Sequence, residues 1–156
     1  MNILVIGESC KDVFVYGSID RICPEAPVPV FVPNRQTAHL GMAGNVTLNI
    51  CAISGLKKDS DVECHLHSNL TKGHKTRFVD ESSNQMLMRI DTDSYDENHV
   101  RNKFKNSKSI DFSIYDAVVV SDYNKGFLSY DDINYIADKT RESSKAKLFI
   151  DTKKHP

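Results

Sequence analysis

A chain of 156 residues, 40% hydrophobic and 26% charged, is long enough to bury a real core and too apolar to be a disordered tail. Its formal net charge of -1, with acids and bases interspersed, gives no electrostatic case for a nucleic acid or a membrane surface as partner. No stretch approaches the roughly 18 apolar residues of a membrane span, and the start lacks the basic flank and small-residue cleavage site of a signal peptide. A cytosolic protein forming a single globular domain over residues 1–156 is expected.

Taken in order, residues 2–6 are a short apolar run that ends at Gly7, as expected of a strand buried on both faces. Residues 14–17 and 28–32 are short extended pieces. Pro24, Pro27, Pro29 and Pro33 confine the second to an edge or an irregular strand. Gly41, Met42, Ala43, Gly44 and Asn45 read as a glycine-rich turn feeding a helix. Val46, Ile50 and Ile53 give that helix one buried face, and Gly55 stops it. Glycines at a helix N-terminus let the backbone approach a ligand closely, and the free amides there favour hydroxyl or anionic oxygens. A tight turn with no ligand accounts for the same spacing equally well.

Residues 57–61 and 68–74 are read as polar connections. Residues 75–79 and 85–90 form two strands around the turn 80–84, with Met86, Met88 and Ile90 on one face. These strands make a small antiparallel sheet apart from the parallel core. Little chain is left to cover its apolar face, so it is expected to serve as a lid, a dimer contact or both. A weaker helix is expected over 96–106, held through Val100 and Phe104. Residues 117–120 and 147–150 repeat the pattern of the first strand. Between them, Ser129 and Asp132 make a capping box, and Ile133, Ile136, Ala137 and Thr140 form one helical face. This is a βαβ unit.

The four cysteines, Cys10, Cys23, Cys51 and Cys64, form no C-x-x-C pair, and reduced thiols are expected. In a strand His65 and His67 share one face while Cys64 points to the other, and no fourth ligand stands at a matching spacing. No metal site is expected there. Parallel strands place their ligands beyond their carboxyl ends, which singles out Glu8, Asp12, Ser121, Asp122, Asp151 and Lys153. An acid in such a position is also a good turn residue, so the group counts for more than any one member.

In sequence order, Gly7, Asp12, Tyr16 and Gly17 are followed by Arg21, Pro24, Glu25, Ala26, Pro27 and Pro29, then by Gly41, Ala43, Gly44 and Asn45. Further on come Lys75, Thr76 and Arg77, then Asn84, Gln85, Arg89 and Asp91. Ser121, Asp122, Tyr123, Lys125 and Gly126 follow, and the series ends at Asp151, Thr152 and Lys153. This series resembles the N-terminal half of the ribokinase-like (PfkB) sugar kinases, and within them the heptose 7-phosphate kinases. The resemblance implies a Rossmann-like α/β core, truncated here, with helices and a small antiparallel β lid whose segments lie at about 13–33 and 75–91. A homodimer through that lid, or a completing second chain, is also implied.

By the same resemblance, Asp12 accepts hydrogen bonds from sugar hydroxyls, a task an ionised carboxylate performs well. Gly41, Gly44 and Asn45 lie against the sugar. Arg89, with Lys75 or Arg77, meets a phosphate already on the substrate, and Asp122 and Lys125 complete the substrate-binding set. ATP and Mg2+ are the implied co-substrate and metal. Two departures stand out. Between Gly55 and Lys75 the family normally has a further strand and helix for which this chain lacks the length. The family's second half, with its Gly-Ala-Gly-Asp segment and nucleotide pocket, is not found in these residues, nor is a P-loop or other phosphate cradle. The chain is therefore expected to keep the sugar-binding half of such a kinase and to be inactive alone. The alternative is a non-catalytic module that binds a sugar phosphate or dimerises.

Overall fold

The computed structural model describes residues 1–55, 61–92, 104 and 109–154. The expected helix over 96–106, Phe104 apart, and most of the connection at 57–61 lie outside these. Among the described residues, six strands and two α-helices follow in the order β1 (Asn2–Ile22), β2 (Pro29–Met42), α1 (Ala43–Gly55), β3 (Glu63–Asp80), β4 (Met86–Thr92), β5 (Ala117–Asp122), α2 (Tyr130–Glu142) and β6 (Lys147–Thr152), with a short 3-10 turn at Phe112–Ile114 before β5. One sheet takes the order β4-β3-β1-β5-β6, with β2 pairing to β1 off that path. The architecture is the expected mixed α/β one. No helix among the described residues is long and apolar enough to cross a membrane.

The chain divides into two compact units. The first comprises Met1–Ser9, Leu40–Thr71 and Tyr95–Pro156, and the second Cys10–His39 with Lys72–Ser94. β1 and β3 each run from one into the other. The second unit contains both segments assigned above to a lid.

In the first unit β1 and β5 are parallel, Ile3 opposite Ala117 through Gly7 opposite Ser121, and β5 and β6 are parallel from Ala117 opposite Lys147 to Asp122 opposite Thr152. Alternate residues of β1 enter different clusters. Leu4 and Ile6 pack with Val118, Val120, Phe112, Phe127, Leu128 and Ile136, while Ile3 and Val5 pack with Ala43. Both faces of the strand are therefore covered, and each such side chain contributes roughly 1.5–3 kcal/mol on burial. α2 begins as the sequence predicts: Ser129 Oγ accepts from the Asp132 amide at 3.1 Å, and Asp132 Oδ2 accepts from the Ser129 amide at 2.8 Å. Its Ile136 and Thr140 are buried.

Several expectations need correction. β1 does not stop at Gly7. A Cβ there would sit 1.9 Å from the Ser121 carbonyl oxygen, so the glycine marks a close approach of two backbones and not a strand end. Likewise β3 runs unbroken through 68–74, because a strand needs paired amides and carbonyls rather than apolar side chains. β2 continues from Pro29 to Met42, and the turn into α1 shrinks to the single residue Met42, at φ 57°. Val46 and Ile50 pack against the Ile3, Val5 and Ala43 cluster, but Ile53 is 65% exposed. The apolar contact of α1 is thus confined to its first turns.

In the second unit β3 and β4 are antiparallel, from His74 opposite Thr92 to Val79 opposite Met86, with a register shift between Phe78 and Val79. The turn between them is held by Asp80, whose Oδ2 accepts from the Ser82 hydroxyl and from both the amide and hydroxyl of Ser83. These bonds hold the Asp80 carboxyl below the usual carboxylate range. Asn84, at φ 57°, completes the reversal. The β2 side is tied to this turn by Arg35, which donates to Glu81 at 2.7 Å and stacks 3.7 Å above the Tyr16 ring. Met86, Met88 and Ile90 are all exposed.

Candidate functional site

In the first unit the chemistry gathers where β5 ends. Glu8 is completely buried in β1, and its carboxylate accepts three backbone amides from the turn after β5: Tyr123 at 2.9 Å, Lys125 at 2.9 Å and Phe127 at 3.4 Å. Asn124 (φ 56°) and Gly126 (φ 91°) take left-handed conformations between those amides, which curl the turn around the carboxylate. The side chain of Lys125 stands at the exposed tip.

Asp122, the last residue of β5, is fully buried. Its Oδ2 accepts from Lys154 Nζ at 2.8 Å and from the Thr152 hydroxyl at 2.6 Å, and its Oδ1 from the Asn124 amide at 3.0 Å. Burial pushes the Asp122 carboxyl up, but the Lys154 ammonium and the other two donors outweigh it and hold the group below its ordinary value. Lys154, with only 8% of its side chain exposed, also donates to Asn124 Oδ1 at 3.1 Å. Its neighbour Lys153 lies 4.6 Å above the Tyr123 ring. Asp122 is thus a fully engaged carboxylate that fastens β6 to the turn.

Gly41 and Gly44 are both buried at the junction of β2 and α1, and Asn45 is exposed in the first turn of the helix. A Cβ on Gly44 would lie 2.7 Å from the Leu40 Cβ, so the glycine lets strand and helix meet closely.

In the second unit Arg77 Nη1 donates to Asp12 Oδ1 at 2.7 Å, with 21% and 23% of the two side chains exposed. The same guanidinium lies 5.0 Å from the Phe14 ring centre. Arg77 stands opposite Arg89 in the ladder, and Lys75 opposite Asp91. Arg89 grips Asp91 with two bonds of 2.6 Å, and this pairing, with smaller help from Lys75 and Arg77, holds the Asp91 carboxyl low. Residues two apart share a face of a strand, so Lys75, Arg77, Arg89 and Asp91 lie together, away from Met86, Met88 and Ile90. Three cations stand there against Asp91 and the Arg77-bound Asp12. Like charges directly opposite one another destabilise a ladder unless an anion offsets them, and such a face is suited to a phosphate.

The structure therefore joins Asp12 to Arg77 and sets Arg77 beside Arg89 in one unit. Asp122 and Lys125 share one turn in the other, where Gly41, Gly44 and Asn45 form a separate group. Sequence reasoning missed the role of Glu8 as the holder of that turn and missed Lys154 altogether.

The fold is that of the ribokinase-like sugar kinases. A carbohydrate kinase from Agrobacterium tumefaciens matches 96% of this chain, which covers 52% of it, with a TM-score of 0.56 at 14% identity. The phosphofructokinase-2 from Escherichia coli, solved with potassium, matches 96% and is covered over 53%, with a TM-score of 0.56 at 12% identity. No family model matches the chain. In sequence it is similar to the bifunctional protein HldE of Bradyrhizobium diazoefficiens, 31% identical over 176 residues that take in 97% of this chain and 35% of that protein. The HldE of Campylobacter fetus subsp. fetus is 33% identical over 177 residues, 98% of this chain and 38% of that protein. In fold the chain matches the ribokinase-like (PfkB) carbohydrate kinases, and in sequence it is similar to the HldE proteins, a little over a third of whose length it spans.

Proposed function

We propose that these residues form the sugar-binding side of a kinase that passes the terminal phosphoryl group of ATP to a hydroxyl of a heptose phosphate or a similar sugar phosphate. The observation that carries this reading is the cationic face of Lys75, Arg77 and Arg89 with Asp12 bound to Arg77. Asp12 accepts from sugar hydroxyls through the carboxylate that Arg77 orients. Arg89, with Lys75 and Arg77, receives the phosphate already present on the substrate. The buried glycines Gly41 and Gly44 let backbone and Asn45 come close to the sugar. Asp122 serves by holding the turn, and Lys125 by presenting its ammonium from the tip.

ATP and Mg2+ are the group donor and metal that the family implies. When bound, Mg2+ neutralises charge on the transferred phosphoryl group. Among the described residues no three His, Cys, Asp or Glu side chains converge as a metal site. The nucleotide side, with the Gly-Ala-Gly-Asp segment, comes in this reading from polypeptide outside these 156 residues, and the chain alone transfers nothing. General-base help is worth about 10²- to 10⁴-fold and one anion-hole donor about 10²- to 10³-fold, so losing both leaves little activity. The work is placed in the cytosol, with no nucleic acid or membrane as partner.

A second reading, a non-catalytic sugar-phosphate-binding or dimerisation module, is favoured by the exposed Met86, Met88 and Ile90, which suit a homodimer through the lid. Calorimetric titration with heptose and hexose phosphates, followed by an ATP turnover assay, tests both. Binding without turnover is expected. Turnover by the chain alone overturns its assignment as one side of a kinase, and no binding to any sugar phosphate overturns the site.

A further inference from the structure

Among the described residues β6 is the last strand of the sheet, with β5 on one side of it and no strand on the other. Its apolar side chains are open on both faces. Phe149, beside Val119 on the face of Ile3 and Val5, is 56% exposed, and Ile150, beside Val120 on the opposite face, is 46% exposed. An edge strand presents a bare row of amides and carbonyls, a template for pairing with another chain unless it is blunted or covered. Lys147 donates its amide to the Asp116 carbonyl at 3.0 Å, and Lys153 donates to the Asp122 carbonyl at 3.0 Å. By the alternation of a parallel ladder, the backbone groups of Phe149 and Asp151 also turn toward β5, and those of Leu148 and Ile150 point away from the sheet.

We propose that this edge joins two copies of the chain, their β6 strands running antiparallel about a two-fold axis at Phe149. This does not rest on the kinase reading, and it uses a surface other than the exposed residues of β4. A two-fold axis sets a strand against its own reverse, so the strand has to be complementary to itself. About Phe149 it is. Leu148 stands opposite Ile150 of the second copy, and the outward amides and carbonyls of the two exchange hydrogen bonds. Lys147 stands opposite Asp151 of the second copy, both of them exposed, in a pair without backbone bonds, where opposed side chains come closest. Symmetry makes that ion pair twice. An axis at Ile150 would set Lys147 against Lys153, and an axis at Leu148 would set Lys147 against Phe149. The axis at Phe149 alone matches charge with charge and apolar with apolar while keeping the backbone bonds.

Sedimentation velocity of the full chain over a concentration series, with amide hydrogen exchange on the same samples, tests this. A monomer–dimer equilibrium is expected, and exchange at Leu148 and Ile150 should slow as the dimer forms. Lys147→Glu sets like charges opposite Asp151 and should weaken the dimer roughly tenfold. Adding Asp151→Lys to it should restore the dimer, while Met88→Lys on β4 leaves it unchanged. Phe149→Cys places two thiols on the axis with Cα atoms about 4.5 Å apart, and mild oxidation should link them. A wild-type chain that stays monomeric, its edge left to a different polypeptide, overturns the proposal. So does a dimer in which exchange at Leu148 and Ile150 ignores concentration, and neither result depends on whether the variants fold. A dimer lost in Met88→Lys but kept in Lys147→Glu overturns it as well.

Discussion

Arg77 reaches Asp12 at 2.7 Å, so the carboxylate singled out as the sugar's acceptor is already in an ion pair. The pairing engages one carboxylate oxygen, Oδ1. A carboxylate held by a guanidinium is oriented before any ligand arrives, and less ordering is left for binding to cost.

Asp12→Asn is therefore expected to abolish measurable sugar-phosphate binding by calorimetry. Its effect on stability is small, because a partly exposed ion pair is worth about 0–1 kcal/mol. Asn45→Ala should do the same to binding. There the exposed helical position favours alanine by roughly 0.5 kcal/mol, so the melting temperature stays level or rises slightly. Binding that survives both changes refutes the assigned site.

Lys154 and Asp122 make a different kind of pair, nearly closed to water. Lys154→Met leaves the carboxylate buried without its counter-charge and is expected to cost about 3–5 kcal/mol in denaturant unfolding. The double variant Lys154→Met with Asp122→Leu should recover most of that loss. The pH dependence follows from the lowered Asp122 carboxyl. Its stabilisation is complete above the ordinary carboxylate range of about 4 and is lost as pH falls through the lower folded value. That acid-limb slope is expected to weaken in Lys154→Met.

Glu8→Gln tests the turn after β5. Hydrogen bonds to a charged acceptor are worth roughly 1.5–3 kcal/mol each, and a glutamine turns an amide donor toward backbone donors. A destabilisation of about 3 kcal/mol is expected. Hydrogen exchange should quicken at the amides of Tyr123, Lys125 and Phe127 before it quickens elsewhere.

His67 packs against Phe104 and Phe127, and burial lowers its tendency to take a proton. Its contribution is complete above the unperturbed value of about 6.5 and is lost as pH falls through the lower folded value. The melting temperature of the native chain should drop over that interval. In His67→Phe the drop should shrink, and an unchanged pH profile refutes the assignment.

What the sequence makes legible here is local. The capping box of Ser129 and Asp132 spans three residues, the apolar run at 118–120 declares its own burial, and both appear as read. The hairpin of β3 and β4 follows from alternation around Asp80 and Asn84. Most of the misreadings share one cause, which is distance along the chain. Gly7 looks like a stop because its reason, Ser121, lies far downstream. Nothing near Glu8 announces that its acceptors are met by residues 115 to 119 positions away. Asp122 reads as a strand-end acid open to ligand until Lys154 is folded against it, and the polar run at 68–74 conceals a strand held by its backbone.

The contact at Gly7 has a consequence for how this chain can vary. With the Ser121 carbonyl oxygen 1.9 Å and the Ala43 methyl 3.1 Å from where a first side-chain carbon would stand, even alanine prises β5 and the start of α1 from the central strand. In a saturation library this position should tolerate no replacement. Natural drift can reshape the rim of the molecule, but its spine is pinned at one hydrogen atom.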